Sequence, residues 1–529
     1  MAARVLQGPE FRHPVDKDTL GQFFFNNAQK YSDRVCQVDG STDQSETYAS
    51  VKVRSIRVAL ALQKKRITSA DVVILCSANT LDNTIPLLAA SYLGAKVANL
   101  EPSLSVRHTQ HLLALVTPKL IFVEEAAVGL IEESLISSSF DTEIVVFGQS
   151  EKYVRFSDLV VPQEGEEEFR PVEVDVEDVA LMLFSSGTTG LPKAICHSHR
   201  SFLWATLQTY QGGVRNSVFH FTSFYWMTAW MMITCCFKSG SCRVFTRGFD
   251  TENVFRIIEK YKIPYLFTAP VLTYKLTSFK DASKYDTSSL EVVMCAGTPM
   301  APSQIQKMNE FFPTAVTILC CGMSEIGVVS SFDLEHDREL IKRKYSSCGH
   351  PAAGVQLKIV DPGSEELLPP NQKGEIRLKA PSMMKGYYRG DASHAFDKEG
   401  FLKTGDIGYY DEEECVYVIE RIKEMFKYQS WHIIPSSIEV VLLEHPGIKE
   451  AVVFGLPEGE NGEVPAACVV LKEGFTLSGE EIDVFLKERV VDRERLRGGV
   501  TFVQVLPRTP TGKVVRKEIR DFVINSKTA

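Results

Sequence analysis

Leu183-Phe184-Ser185-Ser186-Gly187-Thr188-Thr189-Gly190-Leu191-Pro192-Lys193 is the stretch around which the chain is arranged. Four hydroxylated residues, two glycines and a lysine after proline give a loop dense in backbone N–H groups and hydroxyl donors. Glycine lets the backbone approach a phosphate closely, and Lys193 supplies a fixed positive charge, so the composition suits a polyphosphate. The apolar run Val179 to Phe184 before it reads as a buried strand. The loop is then expected beyond a strand's carboxyl end, where ligands collect in α/β folds. It is not a Walker A loop: Leu191-Pro192 separates Gly190 from Lys193, and no Ser or Thr follows the lysine.

Working outward from this loop, strand and helix signals alternate. Leu20 to Tyr31 has helical spacing, Ala70 to Cys76 is an apolar strand rich in β-branched residues, and Leu81 to Leu93 is helical again. Ala95 to Leu100 and Leu120 to Val123 repeat the strand signal, which predicts a largely parallel sheet in an α/β body. The acidic run Glu164 to Glu168 reads as a solvated connector. Beyond the loop, Ser198 to Leu207 and Val254 to Tyr261 are helical, and Tyr265 to Pro270 and Val292 to Met300 are strands, the second entering a glycine turn. From Gly349 to Leu378 apolar and polar residues alternate between Gly and Pro breaks, as in short antiparallel strands.

The 529 residues suit two or more domains, and 44% apolar content excludes a disordered chain. A formal charge of −9 with no concentrated basic tract argues against nucleic acid as a partner. Twelve cysteines without a CxxC pair read as small core residues in a reducing compartment, with neither disulfides nor zinc indicated. The apolar stretch Trp226 to Phe237 is far shorter than the roughly 20 residues needed to span a bilayer, so no transmembrane segment is expected. The first residues lack the apolar core of a secretion signal, and Ser526-Lys527-Thr528-Ala529 is not a Ser-Lys-Leu address. A cytoplasmic location is the expectation; the sequence does not reveal the oligomeric state.

The nonamer Ser185 to Lys193 resembles the phosphate loop of the acyl-adenylate-forming superfamily, which includes acyl-CoA synthetases, coumarate–CoA ligases and beetle luciferases. Four further motifs follow in that family's order. Ala296-Gly297-Thr298-Pro299 resembles the turn whose flat backbone stacks on adenine. Cys321-Gly322-Met323-Ser324-Glu325 resembles a Tyr-Gly-x-Thr-Glu motif, with Cys321 in place of the aromatic. Thr404-Gly405-Asp406 resembles the ribose-binding motif, and Pro507-Arg508-Thr509-Pro510-Thr511-Gly512-Lys513 the C-terminal catalytic loop.

The resemblance implies an α/β fold: a large N-terminal domain of α/β subdomains over residues 1–420, with a β subdomain at about 330–420, and a small α+β lid over 421–529. It implies ATP and Mg²⁺ as cofactors. Ser185, Ser186, Gly187, Thr188, Thr189, Gly190 and Lys193 would hold the β- and γ-phosphates, and Gly297, Thr298, Pro299, Cys321 and Gly322 the adenine side. Ser324 would bond the α-phosphate and Glu325 the metal. Asp406 and Arg421 would hold the ribose, Lys423 would be the hinge, and Lys513 would bridge the attacking carboxylate and the α-phosphate.

By the same resemblance Tyr225, Trp226 and Trp230 line the pocket of a small carboxylic acid, and the aromatic and Met character predicts an apolar or aromatic acyl group. Trp226 stands where luciferases and coumarate–CoA ligases usually carry His, and resembles acetyl- and medium-chain acyl-CoA synthetases instead. Lys427 matches the lysine of the family's CoA-tunnel motif, whereas Gln429, Ser430 and His432 depart from it. Two fates of the acyl-adenylate follow: capture by CoA as a thioester or, in a luciferase of beetle or fungus-gnat kind, reaction with O₂. A non-catalytic acyl-binding role is at odds with Glu325, Asp406 and Lys513 being present together.

Overall fold

The computed structural model describes residues 2–11, 17–136, 138–184, 192–208, 217–297, 300–428, 431–458, 463–508 and 514–528. The expected mixed α/β fold is observed. Val72–Cys76 is buried at every position, as a strand covered by helices on both faces must be, and this makes its sequence a continuous apolar run. Lys96–Leu100 and Leu120–Glu124 pair with it in parallel on either side. Glu143–Phe147 and Val154–Arg155 extend the sheet beyond Leu120–Glu124, and Val179–Phe184 extends it in parallel beyond Lys96–Leu100.

The phosphate-loop strand departs from expectation on its far side. Ala194–Ser198 is itself a buried strand, antiparallel to Val179–Phe184 with Ala194 opposite Phe184 and Ile195 opposite Leu183. The segment 185–191 lies outside the described residues; its two flanks are antiparallel neighbours, and the helix His199–Leu207 begins only after the second strand. Ser198 caps that helix through a reciprocal bond with Ser201. Gly386–Tyr387 then adds an edge strand, pairing Tyr387 with Ile195.

A second sheet is parallel through Cys242–Phe245, Ser217–His220, Tyr265–Thr268, Val292–Ala296 and Val316–Met323. It turns antiparallel where Val316–Met323 meets Gly327–Ser331. A third, antiparallel sheet holds Gln356–Val360, Gly374–Lys379, Leu402–Tyr410 and Val416–Arg421, the alternating strands predicted for this region. Its outer strand is Leu6–Gln7, contributed from the other end of the chain. The C-terminal part carries the sheet Ile448–Pro457, Glu463–Leu471 and Val500–Phe502, with the helices Pro435–Leu443, Gly479–Lys487 and Arg516–Thr528 and a hydrophobic core of its own.

In the acidic connector Glu164, Glu167 and Glu168 are exposed, as expected of a solvated segment, and Glu166 is the exception. Glu166 is half-buried and holds Arg57 of the helix Tyr48–Lys64 at 2.9 Å. Among the described residues no helix is long and apolar enough to cross a membrane.

Candidate active site

The third sheet presents a carboxylate and a guanidinium as a prepared pair. Asp406 lies directly opposite Arg421, and the Arg421 Nε donates to Asp406 Oδ1 at 2.7 Å. The turn that delivers Asp406 is locked from beneath: Thr404 Oγ1 donates to the Ile376 carbonyl at 2.7 Å and accepts the Asp406 N–H at 3.0 Å. Gly405 between them has φ +69°, a left-handed backbone that glycine adopts without steric cost. A pair of this kind, with Arg421 partly exposed, offers carboxylate acceptors and guanidinium donors to a diol such as a ribose.

Beside it, the strand Val316–Met323 ends in the turn that carries Ser324 and Glu325. Gly327 closes the turn at φ +87°, where any Cβ would stand 2.5 Å from the Ala205 carbonyl oxygen. Two hydrogen bonds to its carbonyls fix the turn in place. His197 Nε2 donates to the Ser324 carbonyl at 2.7 Å, and the Met384 N–H donates to the Glu325 carbonyl at 2.7 Å. Burial pushes the His197 imidazole down to about 4, so it is neutral at physiological pH; Nε2 carries the proton and Nδ1 faces the Ser201 hydroxyl at 3.3 Å.

These groups share one electrostatic neighbourhood. Burial is the main cause that lowers the Lys423 ammonium, the Arg421 charge adds to it, and Glu424, Asp406 and Glu325 oppose it. Burial, followed by the Glu325 charge, raises the Tyr387 phenol. Cys321 lies against the same group, its thiol held neutral mainly by burial and in part by Cys348 and Asp406.

Lys193 is exposed, with Nζ 4.4 Å from the centroid of the Tyr387 ring. The residue before it is held by the helix Val106–Val116, whose His111 Nε2 donates to the Pro192 carbonyl at 2.8 Å. Gly297 has φ +105°, and nothing among the described residues lies within 4 Å of where a Cβ would project, which suits the close approach of a flat ring. Gly322 is exposed, and a Cβ there would come within 3.0 Å of the Gly327 carbonyl oxygen.

On the acyl side Trp226 is half-buried just before the helix Met227–Ser239, and the Tyr225 ring meets it edge-on at 4.9 Å. Trp230 sits elsewhere. It is fully buried, edge-on to Phe202 and Phe224, and its indole N–H donates to the Phe224 carbonyl at 3.1 Å. The expectation that it lines a pocket gives way to a place in the core, because it is fully buried against Phe202 and Phe224 and its one polar atom is satisfied there. Lys427 is exposed on the strand Phe426–Tyr428, opposite His432. Ser185, Ser186, Gly187, Thr188, Thr189, Gly190, Thr298, Pro299, Gln429, Ser430 and Lys513 lie outside the described residues.

Three residues here were not read from the sequence. Tyr387 and His197 carried no motif of their own; the second lies in Cys196-His197-Ser198-His199, a polar interruption at a strand end that signals a buried hydrogen-bonded group. Glu101 follows the strand Lys96–Leu100 and accepts from the Ser223 hydroxyl, with its carboxyl raised chiefly by burial. A carboxylate at the carboxyl end of a parallel strand was the available signal.

No group of three or more His, Cys, Asp or Glu side chains that could hold a metal occurs among the described residues. The single carboxylate of Glu325 fits Mg²⁺ that arrives with a polyphosphate, because Mg²⁺ takes one or two carboxylates together with substrate phosphates and retained waters.

A model of AMP-binding enzymes matches residues 24–388, and a model of the AMP-binding enzyme C-terminal domain matches residues 437–513. The 4-coumarate–CoA ligase 1 of Narcissus pseudonarcissus is 30% identical over 519 residues, 95% of this chain and 93% of its own. The luciferase-like enzyme from the nonluminescent mealworm Zophobas morio is 53% identical with a TM-score of 0.78, covering 80% of this chain and 100% of that one. The anthranilate–CoA ligase AuaEII, solved with anthranoyl-AMP, is 22% identical with a TM-score of 0.88 over 98% of this chain and 99% of its own, a likeness of fold.

Proposed function

This chain belongs to the AMP-binding enzyme family, and from that premise we propose that it activates an apolar or aromatic carboxylic acid as an acyl-adenylate and passes the acyl group to CoA. The adenylate-forming acyl-CoA ligases are its class; the acid and the acceptor are the proposal. The observation that carries it is the convergence of Asp406, Arg421, Lys423 and Glu325 in one electrostatic neighbourhood, with Tyr387 joining Lys193 to the same group.

In this reading Asp406 and Arg421 take the ribose hydroxyls, the Gly297 backbone lies along the adenine, and Lys193 neutralises the β- and γ-phosphates. Glu325 would hold Mg²⁺, which supplies charge neutralisation on the phosphates when bound. The acid's carboxylate oxygen attacks the α-phosphorus as the bond to pyrophosphate breaks. Lys513 stabilises the charge on the reacting oxygens, and Tyr225 and Trp226 keep water from the acyl group. The domains divide at 420/421, with Lys423 as the pivot. Ile419 and Glu420 lie just before it and reach across to Ser436, whose hydroxyl donates to the Ile419 carbonyl and whose N–H donates to Glu420, both at 3.0 Å.

The 53% identity to a luciferase-like enzyme, itself from a nonluminescent mealworm, keeps a second reading in view, oxidation of the adenylate by O₂. Trp226 opposes it, since an indole cannot shuttle the proton that must leave the carbon beside the carbonyl. One experiment separates the two. Purified protein is given ATP, Mg²⁺ and a panel of fatty and aromatic acids, with and without CoA, in air. A thioester in the mass spectrum with CoA-stimulated turnover supports the ligase; oxygen uptake and light without a thioester overturn it in favour of the oxidation.

A further inference from the structure

We infer that Tyr387 is a positioning residue for the phosphate-loop lysine: its ring sets the place of Lys193 relative to Glu325, and so controls how tightly the polyphosphate is held. The inference rests on the nucleotide reading above and adds a residue to it.

The geometry is built from one strand pair. Ala194–Ser198 starts immediately after Lys193 and carries His197 toward its far end; that histidine holds the backbone of the Ser324–Glu325 turn. Gly386–Tyr387 runs antiparallel to it, with Tyr387 opposite Ile195, and the Tyr388 N–H donates to the Ala194 carbonyl at 2.8 Å. One step further along, the Lys385 N–H donates to the Cys196 carbonyl at 2.8 Å. The register of this pair therefore fixes the Tyr387 ring beside the first residue after the loop. The Lys193 ammonium lies 4.4 Å from the ring centroid, within cation–π range. The Glu325 charge also acts on the phenol of the same side chain, so ring, cation and carboxylate belong to one neighbourhood.

A lysine stem has four rotatable bonds, and left to solvent its charge is spread over a wide volume. A ring face that attracts the ammonium narrows that volume before the nucleotide arrives. The face is what does this work, so the phenol oxygen is the lesser part.

Cation–π contacts at partly exposed sites correspond to about a three- to tenfold effect on an equilibrium constant. The test measures the dissociation constant of a non-hydrolysable ATP analogue with Mg²⁺ by calorimetry, together with KM for ATP and kcat for pyrophosphate release. Tyr387→Leu is expected to weaken the analogue and raise KM about three- to tenfold, with kcat changed less. Tyr387→Phe, which keeps the ring, is expected to restore most of that affinity. In a Lys193→Met background Tyr387→Leu is expected to cost little more, because the two residues act through one contact. Equal losses in the Phe and Leu variants, or additive losses in the double variant, overturn the inference while the nucleotide reading stands. Failure of the unaltered protein to bind the analogue overturns both.

Discussion

The proposed nucleotide edge and the proposed acyl wall of this protein are held in different ways. At the edge, polar groups are held by other polar groups, Asp406 by Arg421 and Thr404 and the Ser324 carbonyl by His197, while the Lys193 ammonium lies over the Tyr387 ring. At the wall, aromatic side chains are held by packing, with Tyr225 edge-on to the half-buried Trp226 and, in the core, Trp230 edge-on to Phe202 and Phe224. A hydrogen-bonded site specifies its ligand atom by atom. A packed wall specifies only size and dryness, which is why the proposed nucleotide reading draws on individual residues and the proposed acid is named only as a class.

The comparison breaks most visibly at Trp230. If it belongs to the core, Trp230→Ala destabilises the N-terminal part by about 3–5 kcal/mol, read as a shift in urea midpoint, while KM for ATP in the protein that remains folded stays within about twofold. A change in acid preference without loss of stability would return Trp230 to the pocket.

His197 carries the next effect. Its folded pKa lies near 4, below the ordinary 6.5, so the unfolded chain binds the proton more readily. Its contribution is complete above pH 6.5 and declines as pH falls toward 4, by about 3 kcal/mol over that window. His197→Gln keeps a donor for the Ser324 carbonyl and removes this titration, so its stability should fall less steeply between those pH values. His199 and His220, also depressed by burial, to about 4 and about 3, contribute to the slope that remains. An unchanged slope in the variant would place the titration elsewhere.

At the edge itself, Asp406→Ala is expected to raise KM for ATP about ten- to a hundredfold, since hydrogen bonds to a charged group are worth about 1.5–3 kcal/mol. Its urea midpoint should barely move, because the pair with Arg421 is partly exposed. The smallest effect belongs to Trp226. Trp226→Ala should shift the preferred acid toward longer or bulkier members by about tenfold in kcat/KM, one or two methylenes' worth, with KM for ATP unaffected.

The same division explains what the sequence made legible. Strands buried on both faces, such as Val72–Cys76, announce themselves as apolar runs. Ala194–Ser198 was missed because His197 and Ser198 interrupt its pattern, although both are buried. Leu6–Gln7 gives two residues of local signal and owes its place to Gln356 and Leu357, far along the chain. Asp406 and Arg421 were identifiable one by one from motifs. Their pairing was not, because a register shift between Ile407 and Gly408 sets them opposite each other, and no hydrophobic period records a one-residue slip. Tyr387 and His197 act through the backbone neighbours that tertiary pairing gives them, so their roles had no local pattern to betray them.

The most direct test of the central claim is the exchange of labelled pyrophosphate into ATP, which reports reversible acyl-adenylate formation without any second acceptor. Exchange that requires both Mg²⁺ and an apolar or aromatic acid, and that falls by about a hundredfold or more in Lys513→Ala, is the predicted result. Exchange with no acid in the panel, or exchange indifferent to the acid and to Lys513, would contradict it.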